Sequence, residues 1–233
     1  MKKILISGSS SGMGRAFAEK MLHENYEVIG LARDHSKFRP DTPHYHTYTV
    51  DFSKIQLLEQ QFKTIQEHHP VLDVIVSSAG YGEFCELEQL SLARMQNMLN
   101  VNFLSQAVLI KFFLPVMKMN KSGKIIIIGS ECALEGQKKG SLYCASKFAL
   151  RGFAQSLRKE CVTANISVTM INPGLVDTAF FDDLSFRPGR DSYNAIQPGQ
   201  VADIIALVVN QENNCVVEEI NLQPLKKVIE KVK

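Results

Sequence analysis

The sequence predicts an α/β protein in which a doubly wound parallel sheet is covered by helices on both faces. Short apolar runs alternate with longer amphipathic segments along the chain, which is the rhythm of repeated βαβ units. Lys124–Gly129 contains four consecutive isoleucines, as expected of a central parallel strand that is buried on both faces. No repeat or linker interrupts the pattern, so residues 1–233 are predicted to form a single domain.

Seven strands are predicted, each from a short run that is apolar throughout or alternates apolar and polar residues. In chain order they are Ile4–Ile6, Tyr26–Leu31, His44–Val50, Val71–Ser77, Lys124–Gly129, Ile166–Ile171 and Glu219–Gln223. The segments between them are helical, and right-handed crossovers place the helices on both faces of the sheet.

Helices are predicted where apolar residues recur at spacings of three and four. They cover Met13–Leu22, Ile55–Ile65, Ser91–Met119, Ser141–Thr163 and Val201–Val209. The third is expected to break near Asn100–Asn102, and a polar loop with aromatic residues spans about Thr178–Ile196. The residues from Leu225 onward are expected to form about two turns of helix, which is short for membrane binding. We expect this tail to dock onto its own domain or onto a neighbouring subunit.

The composition is that of a globular protein with enough apolar residues for a core, at 45% hydrophobic and 21% charged residues. A net charge of +2 argues against a nucleic-acid partner. Five cysteines without paired spacing suggest reduced thiols and a cytoplasmic location. The apolar run at the N-terminus ends at Ser7-Gly8, which is too short for a signal core, and we expect no membrane partner.

A glycine-rich turn joins the first strand to the first helix, with Gly8, Gly12 and Gly14 at its corners. Glycine permits unusual backbone angles and lets a pyrophosphate approach the main chain, and the helix N-terminus offers unpaired amides. Tight turns often need glycine for purely structural reasons. A position between a strand and a helix favours dinucleotide binding.

The end of the second strand indicates which dinucleotide is bound. An acidic residue there would bind a free 2′-hydroxyl of the adenosine ribose, whereas an arginine accommodates a 2′-phosphate. The chain has Ala32 followed by Arg33, so NADP is favoured and NAD is possible. Arg33 could also be an ordinary solvated loop residue.

Tyr143 and Lys147 lie one helical turn apart and therefore share a helix face. A phenol has a pKa of about 10, and a lysine charge about 4 Å away could lower that pKa toward neutrality. Such a pair can act as a general acid/base, although the same spacing also occurs by chance on many helices.

With this pair, the ordered motifs of the chain resemble those of the short-chain dehydrogenase/reductase family over nearly the whole length. The resemblance is to the single-domain type with a Tyr-x-x-x-Lys active site. Ser7–Gly14 matches the family's T-G-x-x-x-G-x-G turn, Ser77–Gly80 its N-N-A-G element and Pro173–Thr178 its P-G-x-V-x-T element. Asp51 matches an aspartate that contacts adenine. Serines replace the two asparagines that brace the sheet and the cofactor in the family.

The resemblance implies a Rossmann-type three-layer αβα fold, hydride transfer between a nicotinamide and a carbonyl or secondary alcohol, and a homodimer or homotetramer. It makes Tyr143 the general acid/base and Lys147 both its electrostatic tuner and a ribose ligand. Ser130 would hold the substrate oxygen, and Asn102 would anchor a water that links Lys147 to solvent. The cofactor-binding residues that it implies are Gly8, Ser10, Ser11, Gly12, Met13, Gly14, Arg33, Asp51, Phe52, Ser78, Ala79, Gly80, Tyr143, Lys147, Pro173, Gly174, Val176 and Thr178.

Two other functions remain open at this point. The fold could serve a regulator that binds NADP(H) without turnover, or a scaffolding protein. Asn102 could be a helix-break residue and Ser130 a turn hydroxyl. The complete set of Asn102, Ser130, Tyr143 and Lys147 favours the enzyme, because a sensor does not need it.

The substrate pocket is expected beyond the strand ends. Its predicted walls are Tyr81, Glu83 and Phe84, the segment Glu131–Gln137, and the loop 178–196 as a lid. The small-molecule substrate itself stays open.

His44 and His46 alternate on one strand, but two imidazoles without a third ligand do not predict a metal site, and surface histidines are expected. Cys132 and Cys144 lie next to the predicted catalytic residues and are interpreted as buried filler rather than reactive thiols.

Overall fold

The computed structural model describes residues 1–212 and 214–232, and its strands are numbered in chain order. They are β1 (Lys3–Ser7), β2 (Glu27–Ala32), β3 (Tyr45–Thr49), β4 (Val74–Ser77), β5 (Gly123–Ile128), β6 (Ile166–Pro173), β7 (Phe186–Pro188), β8 (Glu219–Leu222) and β9 (Ile229–Lys231). Seven of them form a parallel sheet in the order β3-β2-β1-β4-β5-β6-β8. The chain therefore winds outward in two directions from β1 and β4, as a doubly wound sheet must.

The helices lie in two layers, one on each face of this sheet. They are α1 (Gly12–His23), α2 (Ile55–His68), α3 (Leu92–Leu99), α4 (Ser105–Asn120), α5 (Ser141–Cys161) and α6 (Pro198–Asn210). Helices α1 and α6 pack on one face, and α2, α4 and α5 cover the other. The predicted doubly wound, three-layer αβα architecture is confirmed.

The isoleucines of β5 explain why both faces of the sheet need helices. Ile125 and Ile127 point into the core under α2, α4 and α5, whereas Ile126 and Ile128 point into the core under α1 and α6. Successive side chains of a strand face opposite ways, so an unbroken apolar run requires a cover on each side. All four side chains are buried.

The long helical stretch is irregular where a break was predicted, but it is not interrupted. A π-helical turn, Asn100–Leu104, joins α3 to α4 and places Asn102 in the interior, where it is fully buried. The stretch Leu92–Asn120 is long and apolar enough to cross a membrane, by length and composition alone. Leu109 and Phe113 lie in the core, and core helices pass the same test.

The C-terminal tail differs from its prediction, because it is extended rather than helical. Strand β9 pairs antiparallel with β7, which lies inside the segment predicted as a loop. The Val232 amide donates to the Ser185 carbonyl at 2.9 Å, and the Gly189 amide donates to the Val228 carbonyl at 2.9 Å. A short run of apolar residues fits either conformation, and the hydrogen bonds offered by the β7 segment favour the strand. The tail docks onto its own chain, which was one of the two arrangements expected from the sequence.

Candidate active site

A cavity of about 710 Å³ opens at the carboxyl ends of the central strands. Ligands bind at this edge in open parallel sheets, beside the point where the strand order reverses. The predicted site residues that line it are Met13, Ser78, Gly80, Ser130, Tyr143, Lys147, Pro173, Gly174, Val176 and Thr178. The other predicted cofactor positions lie outside this lining, at the glycine turn, at the ends of β2 and β3, and after β4: Gly8, Ser10, Ser11, Gly12, Gly14, Arg33, Asp51, Phe52 and Ala79.

The glycine turn has a shape that side chains would destroy. Gly8 and Gly12 have φ angles of +74° and +52°, in the left-handed region that favours glycine. A Cβ on Gly14 would lie 2.3 Å from the Gly8 carbonyl oxygen. Within the described residues the N-cap Ser11 makes no side-chain hydrogen bond to α1, so this helix end presents open amides. A bare turn with free donors fits a dinucleotide pyrophosphate.

A buried hydrogen-bond brace holds the glycine turn against the end of β4. The Ser7 hydroxyl donates to Gln106 Oε1 at 2.9 Å, and the Ser77 hydroxyl donates to the same oxygen at 2.7 Å. Ser7 Oγ also accepts from the Ser78 and Ala79 amides, at 2.9 and 3.0 Å. Gln106 was not among the predicted site residues, yet it serves as the common acceptor for two of the serines in this part of the site.

Tyr143 and Lys147 lie in the first turns of α5 and both side chains are buried. The Lys147 Nζ atom lies 5.8 Å from the centre of the Tyr143 ring and donates to the Ile128 carbonyl at 3.2 Å. The helix therefore brings the two side chains together beside the end of β5, as their spacing predicted.

The protonation of this pair differs from the prediction of a phenol pKa lowered by Lys147. Burial raises the pKa of Tyr143 above its ordinary value, and the Ser130 hydroxyl offsets only part of that rise. Burial also lowers the pKa of Lys147, to about 8. Both shifts have one cause, since a buried group favours its neutral form, and this burial cannot be read from residue spacing.

Ser130 follows β5 directly and begins the short turn Glu131–Ala133. Its Oγ accepts a hydrogen bond from the Cys132 amide at 3.2 Å and interacts with the Tyr143 hydroxyl. The turn thus fixes one lone pair of the serine and leaves its hydroxyl close to the tyrosine at the cavity wall.

Asn102 lies behind the cavity wall and forms hydrogen bonds with the backbone that follows β4. Its Oδ1 accepts from the Tyr81 amide at 3.0 Å, and its Nδ2 donates to the Tyr81 carbonyl at 2.9 Å. Gly80 lies beside both polar groups, since a Cβ added to it would lie 3.2 Å from Asn102 Oδ1 and 3.8 Å from Lys147 Nζ.

The ends of β2 and β3 lie at the adenosine side of the predicted cofactor groove. Ala32 is buried and Arg33 is exposed. The hydrogen bond from the Ser53 side chain is the main cause that keeps the pKa of Asp51 below its ordinary value, with a smaller contribution from Arg33. The Phe52 side chain lies in the core, so only its main chain can face a ligand.

Five aromatic side chains form a closed circuit along one wall of the cavity. Neighbouring ring centroids lie 5.0–5.9 Å apart, and all five rings line the cavity. In order around the circuit they are Tyr143, Phe84, Phe186, Phe181 and Phe180. Contacts of this kind are favourable, so the circuit is a stable apolar wall with the predicted catalytic tyrosine as one member.

Other pocket predictions are met only in part. Tyr81, Glu131, Cys132 and Gln137 line the cavity, whereas Glu83 lies outside the lining and pairs with Arg94. The tail strand was missed altogether: Ile229, Lys231 and Val232 line the cavity. Lys227 also reaches Glu131 at 2.7 Å. This contact joins residues far apart in sequence, and no local pattern signals it.

Burial raises the pKa of the Cys132 thiol to about 12, which agrees with its interpretation as unreactive filler. His46 is not an isolated surface residue, since Glu27 and His69 lie beside it with ligand atoms within 4.8 Å of one another. His44 is exposed in the turn just before β3, so the sequence prediction that it shares a strand with His46 is wrong, and it lies outside this group.

The glycine turn, the strand-end cavity and the buried tyrosine–lysine pair define an α/β protein of the dinucleotide-binding class. The chain belongs to the short chain dehydrogenase family, whose model matches residues 2–187. The predicted family membership is confirmed.

Human retinol dehydrogenase 8 is 36% identical over 190 residues, which cover 77% of this chain and 60% of that protein. The chain thus spans about 60% of the length of this curated relative. An alcohol dehydrogenase from the archaeon Thermococcus sibiricus, complexed with 5-hydroxy-NADP, has a TM-score of 0.85 and 26% identity over 97% of both chains. A metagenomic short-chain oxidoreductase in complex with NADP has a TM-score of 0.83 and 25% identity over 96% of both chains.

Proposed function

We propose that this protein is an NADP-dependent oxidoreductase that interconverts a carbonyl compound and a secondary alcohol, with Tyr143 as the general acid/base. The observation that carries the proposal is that Tyr143, Ser130 and Lys147 line one cavity at the carboxyl ends of the central strands, with all three side chains buried. A regulator that only binds NADP(H) has no use for such an arrangement.

NADP(H), when bound, supplies or accepts the hydride. In the reducing direction the Tyr143 hydroxyl donates its proton to the substrate oxygen, and the Ser130 hydroxyl donates a hydrogen bond to the same atom. The raised pKa of Tyr143 keeps this proton in place at neutral pH. Protonated Lys147 stabilises the phenolate that forms, by about 3 to 4 kcal/mol for a unit charge within about 4–6 Å at an effective dielectric near 20.

The proton that Tyr143 gives up must be replaced from solvent. Asn102 Oδ1 and Lys147 Nζ both lie beside Gly80, so a water that joins them, as the family resemblance implies, would bind near this residue. Asn102 keeps a free lone pair on Oδ1 after binding Tyr81, so it can hold a water against Lys147.

NADP is proposed over NAD because of the adenosine side of the groove. Exposed Arg33 after buried Ala32 offers a guanidinium to a 2′-phosphate and no acid to a 2′-hydroxyl. Two structural neighbours were solved with NADP or an NADP derivative, which supports the same choice.

We propose an apolar carbonyl or alcohol as the substrate. Four of the five side chains in the aromatic circuit are phenylalanines, and they offer apolar contacts to a substrate whose oxygen lies at Tyr143 and Ser130. Residues 178–196 act as the substrate loop, since Phe180, Phe181 and Phe186 belong to the circuit. The names of the relatives, a retinol dehydrogenase and an alcohol dehydrogenase, agree with this chemistry.

The test is a panel of aldehydes, ketones and secondary alcohols that runs from small polar to large apolar compounds, followed by nicotinamide absorbance. We expect NADPH-dependent turnover that rises with the apolar surface of the substrate. NADPH binding without turnover of any compound would favour the regulatory alternative. The homo-oligomer that the family resemblance implies stays a prediction.

A further inference from the structure

A second group of polar side chains lies at the amino ends of the strands, on the opposite side of the sheet from the cavity at their carboxyl ends. Glu27 is the first residue of β2, His46 is the second residue of β3, and His69 directly follows α2. One ligand atom from each lies within 4.8 Å of the others. Three chain segments that are distant in sequence therefore bring a carboxylate and two imidazoles to one point.

The two distances from the Glu27 carboxylate to the histidine nitrogens are close to those of a tetrahedral metal site. Glu27 Oε1 lies 3.0 Å from His46 Nε2 and 3.4 Å from His69 Nδ1. Ligands that bind zinc at about 2.1 Å lie about 3.4 Å from one another when the geometry is tetrahedral. One carboxylate and two histidines are also a ligand set that zinc uses in proteins.

His69 is the second, independent observation. Its side chain is only 6% exposed, and its Nδ1 forms no hydrogen bond within residues 1–212 and 214–232. A buried polar atom without a partner is costly, and this one lies 3.4 Å from Glu27 Oε1 without a hydrogen bond to it.

The Lys3 ammonium is the competing cation at this point. Its Nζ lies 3.2 Å from Glu27 Oε1, and its side chain is 29% exposed. A bound metal would displace this ammonium from the carboxylate, and the exposed side chain has water to turn into. This ion pair shows that the Glu27 carboxylate attracts a cation. Because Lys3 competes for the same carboxylate, it also lowers the affinity of the site for a metal.

We propose that Glu27, His46 and His69 form a binding site for a divalent transition metal of the zinc class. The metal links the start of β2, the start of β3 and the end of α2, so it stabilises the folded protein. It lies at the amino ends of the strands, away from the cavity, and takes no part in hydride transfer.

The experiment is a calorimetric titration of chelator-treated protein with Zn²⁺ alone, followed by thermal unfolding with and without the metal. We expect one Zn²⁺ per chain and a higher melting temperature with metal. Glu27→Gln and His46→Ala should each weaken binding at least about tenfold. His44→Ala is the matched control, because it removes an exposed histidine from the turn just before β3 and should leave the affinity unchanged.

Lys3→Gln should tighten Zn²⁺ binding, because it removes the competing ammonium. This variant and His46→Ala keep the proposal open to refutation even where loss of buried His69 prevents folding, and NADPH binding reports the folded state of each variant. An absence of Zn²⁺ binding in both the wild type and Lys3→Gln would overturn the proposal and leave an ordinary ion-pair network. Binding that survives unchanged in Glu27→Gln and His46→Ala, for example at exposed Cys215, would overturn it as well.

Discussion

Replacement of Gln106 by methionine perturbs the brace beneath the glycine turn. Gln106 is 1% exposed, and its Oε1 accepts hydrogen bonds from the Ser7 and Ser77 hydroxyls. Its Nε2 donates to the Val101 carbonyl at 3.1 Å and to Ser105 Oγ at 2.9 Å. Methionine has a similar shape but cannot donate, and it accepts only weakly. The substitution therefore removes an acceptor from two buried hydroxyls without opening a large cavity.

Each buried hydroxyl left without its acceptor costs about 1–3 kcal/mol. Some rotation of the serines will recover part of this, so we expect the free energy of unfolding to fall by about 2–4 kcal/mol. Ser7 Oγ also holds the Ser78 and Ala79 amides beside the cofactor groove. A loosened Ser7 should therefore weaken NADPH binding as well.

Urea unfolding measures the stability change and a fluorescence titration measures the NADPH affinity. Gln155→Met, at an exposed position of α5, is the control and should be close to neutral. Adding Ser77→Ala to Gln106→Met removes one orphaned donor and should recover about 1 kcal/mol. If Gln106→Met unfolds at the same urea midpoint as the wild type, the hydrogen bonds of Gln106 do not stabilise the fold and the prediction is wrong.

Three further outcomes follow from charges in the structure. The rate of carbonyl reduction should fall as pH rises through about 8, where Lys147 loses its proton, and Lys147→Arg should move that fall to higher pH in a pH–rate profile. Arg33→Glu should reverse cofactor choice, weakening NADPH relative to NADH by at least about tenfold in parallel titrations. The pKa of His69 is about 4 when folded and about 6.5 when unfolded, so the unfolded chain binds the extra proton between these values. Metal-free protein should therefore lose stability as pH falls from about 6.5 to about 4, by at most about 3 kcal/mol, and urea unfolding at two pH values checks this.

The features predicted correctly from sequence are those written in local patterns. The run Ile125–Ile128 sets a strand buried on both faces, and Gly8, Gly12 and Gly14 set a turn that side chains would block. The spacing of Tyr143 and Lys147 places them on one helix face. These relations hold within a few residues, so the fold and the position of the tyrosine–lysine pair could be inferred before the structure.

What could not be predicted depends on contacts between distant segments. Gln106 reaches Ser7 across 99 positions, and no local signal marks it as an acceptor. The tail became a strand because β7 was there to pair with it. The raised pKa of Tyr143 follows from its burial, and that burial depends on the rings of Phe84 and Phe180, which come from distant parts of the chain.

Tyr143→Phe tests the proposed chemistry most directly, because it removes the proton donor and keeps the ring in its aromatic circuit. Turnover of the best carbonyl in the panel and the dissociation constant of NADPH are measured on the same preparation. We expect turnover to fall by at least about a hundredfold, the usual contribution of a general acid, with NADPH binding little changed. Wild-type turnover by Tyr143→Phe would contradict the role assigned to this residue.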